Sequence, residues 1–475
     1  MRAFVIPCCR LVFALAGIGA ISASAEMVRL KNGDVIYADQ VRDEGNKVRY
    51  EIGDDTYSIP KSLVKSIDVA APAPRVSSSN ALPELPAFTP TIHAGGEEQL
   101  LGEVIRGGEV NRESLSTIES RGNPAQTAVA FYIAARHEFE AGKYHEARRD
   151  FEAALHYDPQ NPAVLNYYAA LLVRTGSPRD ALAYAERATR QAPDSADAFA
   201  VLGYAQYAAD RARDAIQSWK HSLALRPDAS IQQQLARAQR ETTAESGYAE
   251  RETGHFLLRY EGGESSESFR SQILSTLESE FRDLASQFGA EPRSTIQVVL
   301  YNNRNFFDVT QAPSWTGALN DGKLRIPLQG LNSVTPELAR ILKHELAHSF
   351  VNQLSMGRCP HWLNEGIAQA MEPKSLGSRG ARLAELFKLN QEIPLNQLEG
   401  GFTSFSGMEA ALAYDESLAT VQYLLNTYEM SELVRILGKI GHGETTEAAL
   451  RSSTHVDYRQ LQGDVATYLV RQFQN

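Results

Sequence analysis

The segment Leu342-Lys343-His344-Glu345-Leu346-Ala347-His348-Ser349-Phe350 sets two histidines four residues apart, with a glutamate beside the first. On a helix, residues four apart are neighbours on one face, so both imidazoles can converge on a single ion. Zinc–nitrogen bonds of about 2.0 to 2.1 Å demand that convergence. Glu345 is then placed to take a proton from a metal-activated water, which is the chemistry of a hydrolase. The competing reading is a buried helix that carries two histidines by chance. The context argues for the metal. The flanks are apolar or uncharged apart from Lys343, and Thr335-Pro336-Glu337 supplies an N-cap, a first-turn proline and an early acid. Met356-Gly357 is a suitable helix stop.

A catalytic zinc takes three protein ligands and keeps one position open. Glu365, within Trp362-Leu363-Asn364-Glu365-Gly366-Ile367-Ala368, follows His348 by 17 residues, room for one helix to end and a second to return antiparallel. His361 and Cys359, on the connection just before that second helix, are rival ligands. Glu365 is preferred because it belongs to the helix pattern and not to the loop. A metzincin would carry glycine and histidine three and six residues after His348, where Val351 and Leu354 stand.

The paired motifs resemble the gluzincins, in particular the peptidase MA-like group and, more distantly, the aminopeptidase N family with its N-E-G segment. The resemblance covers most of residues 250–475. It implies that His344, His348 and Glu365 are zinc ligands and that Glu345 is the general base. It also gives meaning to Gly317-Ala318-Leu319-Asn320-Asp321-Gly322-Lys323-Leu324-Arg325-Ile326, which looks like a hairpin ending in an edge strand. In zincins such an edge pairs with the substrate backbone. Aminopeptidase N relatives carry G-A-M-E-N there, with the glutamate on the substrate's free amine. Asn320 stands at that place here, which points to internal cleavage. In Ala413-Tyr414-Asp415-Glu416-Ser417 the family has a tyrosine close to a serine, so the resemblance implies Tyr414 as a donor to the oxyanion. The plainer reading of Tyr414 is a packing residue.

Other elements must carry this site. Pro159, Pro193 and Pro227 are spaced by 34 residues, as are Ala147, Ala181 and Ala215; Gly142 and Gly176 keep the period, with Asp210 at the third equivalent place. Thirty-four residues is the tetratricopeptide period, one helix-turn-helix per repeat. Residues 125–245 thus resemble tetratricopeptide repeats, with Ile231 to Glu241 as a capping helix, and offer a groove to a peptide or protein partner, or else serve as a spacer. The pattern changes near Thr242 to Gly247, which reads as a boundary beyond which a catalytic domain would fold alone. Past it, Phe256–Tyr260, Thr295–Tyr301 and Leu324–Leu328 read as strands and Glu267–Phe288 as a helix.

Residues 26–69 alternate short strand-like runs with Asn32-Gly33-Asp34, Glu44-Gly45-Asn46 and Gly53-Asp54-Asp55 turns, a pattern similar to small SH3-like or Sm-like barrels. Residues 70–96, rich in Pro, Ala and Ser, read as a linker, and 97–124 as a helical connector. Arg2 and Arg10, the apolar Leu11–Ala20 run and Ala23-Ser24-Ala25 give residues 1–25 the pattern of a cleaved signal peptide. Periplasmic or secreted placement follows, without stable membrane insertion. Cys359 is the only cysteine beyond that segment, so no intramolecular disulfide would hold the exported chain together. A net charge of -11 argues against a general nucleic-acid binder, which would usually carry a basic face.

The sequence therefore predicts a multidomain chain: a small all-β barrel, an α-helical tetratricopeptide solenoid and an α+β zincin-like catalytic domain over residues 247–475. The function predicted is that of an exported zinc-dependent peptidase, an endopeptidase using metal-activated water with Glu345 as base. The alternative is a tetratricopeptide interaction scaffold whose zincin domain binds peptide or metal without turnover.

Overall fold

The computed structural model describes residues 26–473, except 32–34, 39, 53–54, 70–96, 313–317, 329, 373–375, 378, 403–404 and 406. The predicted signal peptide, the predicted linker and Gly317 lie outside the described residues. The chain divides into two compact units, Met1–Ala73 and Pro74–Asn475.

The first unit holds strands β1 (Glu26–Leu30), β2 (Val35–Ala38), β3 (Gln40–Asp43), β4 (Lys47–Ile52), β5 (Asp55–Pro60) and β6 (Val64–Val69). They pair as two three-stranded sheets, β2-β1-β6 and β3-β4-β5. The expected barrel is corrected here. Each sheet keeps two edge strands and no ladder joins the sheets among the described residues, so they do not close into a barrel. Val28 and Val48 are buried with Val41, Tyr50, Ile59 and Val64 around them.

The second unit begins with α1 (Glu97–Val104), a short ribbon of β7 (Ile105–Arg106) and β8 (Glu109–Val110), and α2 (Arg112–Ser120). Three helical hairpins follow: α3 (Pro124–Glu140) with α4 (Tyr144–Tyr157), α5 (Pro162–Arg174) with α6 (Pro178–Gln191), and α7 (Ala196–Ala208) with α8 (Ala212–Leu225). Helix α9 (Ala229–Ala244) ends the array. The 34-residue period has a direct physical content. Ala147, Ala181 and Ala215 are fully buried where the helices of each hairpin cross. Gly142, Gly176 and Asp210 all take left-handed backbone at the turn, with φ of 73, 77 and 65°. Aspartate is among the few side chains that tolerate that region.

The remainder comprises β9 (Ala249–Glu252), β10 (Phe256–Tyr260), α10 (Glu267–Phe288), β11 (Ile296–Tyr301), α11 (Asn303–Thr310), β12 (Leu319–Asn320), β13 (Leu324–Pro327), α12 (Pro336–Ser355), α13 (His361–Met371), α14 (Arg379–Lys388), α15 (Gly407–Gly441), α16 (Thr446–Thr454) and α17 (Tyr458–Phe473). The strands form one mixed sheet in the order β12-β13-β11-β10-β9. Neighbours β13, β11 and β10 run parallel, and the outer strands β12 and β9 are antiparallel to theirs. Alternate residues of β11 serve two cores. Val298 and Leu300 face the large cluster built with Phe281, Leu342, Leu346, Phe350 and Trp362. Val299 and Tyr301 face Phe306 and Val309 of α11, together with Ala244 and Tyr248 from the end of the array.

The array is thus packed onto the sheet, across the boundary that the change of sequence pattern suggests. Its contact is ionic as well as apolar. Asp210 pairs with Arg259 and Lys323, Glu241 with Lys323 and Arg325, and Arg237 with Asp321. At the other end of the array a Cβ on Gly142 would run into the Arg358 guanidinium, and the Gly142 carbonyl lies close under Gly443.

Candidate metal centre

Helix α12 starts as its sequence dictates. The Thr335 hydroxyl accepts from Leu338 N–H at 3.1 Å, Pro336 opens the first turn, and Glu337 lies there too. The helix ends at Met356 in left-handed conformation (φ 51°), followed by Gly357 (φ 72°). Leu342, Leu346 and Phe350 bury one stripe in the core, which turns His344, Glu345 and His348 toward the following helix.

That helix, α13, carries Glu365. The Nε2 of His344 lies 3.5 Å from Glu365 Oε2 and the Nε2 of His348 lies 3.8 Å from Glu365 Oε1. The three side chains offer donor atoms that all fall within 4.8 Å of one another. Tetrahedral ligands about 2.0 to 2.1 Å from a centre are separated by roughly 3.3 Å, so modest side-chain adjustment brings this set to a zinc-sized ion. The other ring nitrogens are engaged. Nδ1 of His348 donates to Asn364 Oδ1 at 2.8 Å, and Nδ1 of His344 lies 3.3 Å from Glu372 Oε1. Such partners fix the tautomer that leaves Nε2 free to ligate.

The electrostatics fit a cation. Burial opposes charge on His344, yet hydrogen bonds to Glu365 and Glu372 raise it to about 10. Burial likewise opposes the Glu365 carboxylate, but His348, His344 and His361 hold it down at about 2. Burial raises Glu345 above the usual carboxylate range, helped by Glu365 and Glu372 against the pull of the two histidines. The donor set, its orienting partners and its charge all suit a divalent metal.

The predicted rivals are both outside the donor cluster, although His361 borders it. Cys359 is partly buried in the core and is absent from the donor cluster. His361 is not in the connection but is the first residue of α13, because Pro360 forms its N-cap in extended conformation. Its Nε2 lies 3.7 Å from Glu365 Oε1 and its ring meets Phe402 edge-on at 4.4 Å.

Glycine at 366 has a packing cause. A Cβ there would strike the carbonyl oxygen of Ser417 and Cγ2 of Val421 on α15, so only glycine lets the two helices cross this closely. Gln369 then donates to the main-chain carbonyl of Tyr414 at 3.0 Å. Tyr414 packs edge-on against Phe402 at 5.3 Å. Burial raises its phenol well above the ordinary value, with the Glu365 and Glu345 charges adding to the effect. The phenol is thus close enough to both carboxylates to feel their charge. Ser417 is spent locally, donating to Ala413 O at 2.6 Å.

The edge of the sheet is β12, the first arm of the hairpin; the second arm, β13, which the sequence pattern takes as the edge, lies inside the sheet between β12 and β11. Asn320 is turned inward. Its Nδ2 donates to the main-chain carbonyl of Glu345 at 2.7 Å and to Ser349 Oγ at 2.8 Å.

Residues 277–471 match the Peptidase MA superfamily, and residues 138–203 match a tetratricopeptide repeat family. The chain carries a Peptidase MA superfamily domain. No curated protein matches it. Among solved structures, the first TPR domain of human RPAP3 is 20% identical, covering 26% of this chain and 95% of that one at a TM-score of 0.25. The first TPR of Spaghetti (RPAP3) bound to an HSP90 peptide is 21% identical, covering 25% and 94% at 0.24. Yeast Tom70 is 15% identical, covering 74% and 77% at 0.24.

Asn364, Glu372 and Gln369 around this domain's site are not singled out by the sequence reading. Asn364 had a signal in its place next to Glu365. Glu372 and Gln369 had none beyond lying on the same helical stretch. No helix among the described residues is long and apolar enough to cross a membrane.

Proposed function

We propose that the Peptidase MA superfamily domain is a zinc-dependent endopeptidase of the gluzincin type. One observation carries the reading: two histidine Nε2 atoms and a carboxylate from the next helix face one another, with Glu345 on the same helix. His344, His348 and Glu365 would hold the ion. Zinc in that place supplies Lewis acidity, polarising a scissile carbonyl and drawing the pKa of water down toward about 7.

The chain's own groups do the rest. Asn364 and Glu372 keep the two imidazoles in ligating orientation. Glu345 accepts the proton of the attacking water, and as the carbon–nitrogen bond breaks it returns that proton to the leaving amine. The Tyr414 hydroxyl donates to the carbonyl oxygen as negative charge gathers there. Strand β12 offers an edge along which an extended peptide can pair. Internal cleavage is supported by Asn320, which stands where an amine-binding carboxylate would and is engaged by α12. The repeat array would present protein substrate. The signal-like first 25 residues support action outside the cytoplasm.

Metal analysis alongside peptide-library cleavage, with and without a chelator, tests the reading. The expected result is one zinc per chain, chelator-sensitive cleavage, and equal cutting of acetylated and free N-termini. A zinc-loaded protein that cleaves nothing would favour the scaffold alternative. A strict demand for a free amine would overturn the endopeptidase assignment.

A further inference from the structure

The hairpin of β12 and β13 is gripped from two sides. On one side Asn320, 2% exposed, bonds to the carbonyl of Glu345 and the hydroxyl of Ser349. Its Oδ1 accepts from Gly322 N–H at 3.1 Å, so the turn itself is tied to the same side chain. On the other side Asp321, Lys323 and Arg325 reach the last repeat. Arg237 of α9 pairs with Asp321, and Glu241 of α9 pairs with Lys323 and, at 3.0 Å, with Arg325. Arg325, 1% exposed, also donates to Asp321 at 2.9 Å and to the Tyr301 hydroxyl at 2.6 Å. Tyr301 in turn donates to Glu245, just beyond α9.

Strand β13 is fixed in the sheet by its ladder with β11, but the outer arm and the turn cannot hold themselves. Strand β12 is two residues long and meets β13 in two register pairs, Leu319 with Arg325 and Asn320 with Leu324. Isolated ribbons of that size are unstable in water. Its place is therefore set by what grips it, and buried ion pairs with satisfied hydrogen bonds have few alternative arrangements. On the peptidase reading, the β12 edge is also where an extended peptide would pair.

We propose that Arg237 and Glu241 are positioning residues for hydrolysis. Through the β12–β13 hairpin and Asn320 they set the distance between the substrate-bearing edge and Glu345. The proposal rests on the peptidase reading above. It makes the capping helix α9 part of the catalytic apparatus, although none of its residues is in the donor cluster.

The test uses the full chain. Arg237→Ala, Arg237→Lys and Glu241→Gln are compared with Gln239→Ala, an exposed change on the same helix. A displacement of about 1 Å at a reacting centre costs roughly 100-fold, so Arg237→Ala should lose about 10- to 100-fold in kcat with KM within about threefold. Zinc content should not change, and Arg237→Lys should recover most of the loss. Amide hydrogen exchange should rise at residues 319–325 and 344–349. Combining Arg237→Ala with Asn320→Ala should add little to Asn320→Ala alone, because both act on one path. Should Glu241→Gln fail to fold, the partly exposed Arg237 decides. Kinetics and exchange indistinguishable from Gln239→Ala would overturn the proposal, as would fully additive losses in the double variant. If the wild type cleaves no peptide, the peptidase reading fails by itself. Unchanged exchange in Arg237→Ala would then still overturn the coupling, and raised exchange at both segments would still support it.

Discussion

Asn364 Oδ1 accepts from His348 Nδ1 at 2.8 Å, so the residue next to the third donor orients the second. Two features of the site are thereby linked through one turn of α13. Removing an orienting partner of a metal-bound histidine typically lowers affinity about 10- to 100-fold. Asn364→Ala should show that loss in a zinc competition titration while the helical circular dichroism is kept. Glu345→Gln should separate from it, retaining zinc and losing most hydrolysis. Equal zinc affinity in Asn364→Ala and wild type would remove Asn364 from the site.

Glu416, buried on α15, gives a pH signature. Ile393 N–H donates to both of its oxygens, at 3.0 and 3.1 Å. Burial nonetheless raises its pKa to about 8, with the charges of Glu392 and Asp415 adding to the effect. Asp415 is itself paired with Arg379 at 2.6 Å. In the unfolded chain a glutamate ionises near about 4.3, so between there and about 8 the folded state holds the extra proton. Stability therefore falls as pH rises through that window and levels off above it. Glu416→Gln keeps an acceptor for Ile393 and removes the titration. Its stability relative to wild type should rise by on the order of 5 kcal/mol between pH 4.5 and 9. Denaturant unfolding at the two pH values measures it, and parallel curves would show that Glu416 titrates normally.

Much of this was legible because the signals are local. The Thr335-Pro336-Glu337 start of α12 and the α10 bounds depend on residues within a turn or two of one another, and the 34-residue repeat is a recurrence of such local patterns. His344, His348 and Glu365 were legible because helical spacing nearly fixes the first two and one antiparallel return supplies the third. What stayed hidden depends on contacts far apart in sequence. The sequence places Asp210 at the third equivalent position without showing what its carboxylate does, which is to pair with Arg259 and Lys323. Lys323 and Arg325 lie in a strand pattern that suggests exposure on alternate residues, yet they are buried against α9. The barrel failed for a similar cause, because strand runs do not encode whether the last edge meets the first.

Truncation follows from the same long-range contacts. Removing residues 26–73 takes away a separate unit and should leave zinc binding and stability of the remainder nearly unchanged. Removing everything through 245 is different. It strips Asp210, Glu241 and Glu245 from Arg259, Lys323 and Arg325, and uncovers the β11 face carrying Val299 and Tyr301. Leaving buried charges uncompensated costs about 3 to 5 kcal/mol for each broken pair, comparable with the whole stability of a domain. The shorter fragment should be insoluble or molten, judged by near-ultraviolet circular dichroism. A well-folded, zinc-loaded fragment from 247 onward would show that the array is only docked.

Tyr414 is the donor whose role rests on the least covalent neighbourhood, 49 residues beyond Glu365 on another helix. Its placement is nonetheless over-determined. Glycine at 366 allows α13 and α15 to touch, Gln369 fixes the Tyr414 carbonyl, and Phe402 backs the ring. None of these contacts uses the phenol oxygen, so Tyr414→Phe removes the donor and leaves its scaffolding intact. Loss of one oxyanion donor typically costs about 100- to 1,000-fold in turnover, roughly 3 to 4 kcal/mol. Since that hydrogen bond would strengthen only as charge gathers on the carbonyl oxygen, the loss belongs in kcat and not in KM. Steady-state kinetics of Tyr414→Phe on a blocked peptide, with zinc measured in the same sample, gives the answer. Turnover within about threefold of wild type would leave Tyr414 as packing and move the search to His361, whose Nε2 faces the same pocket.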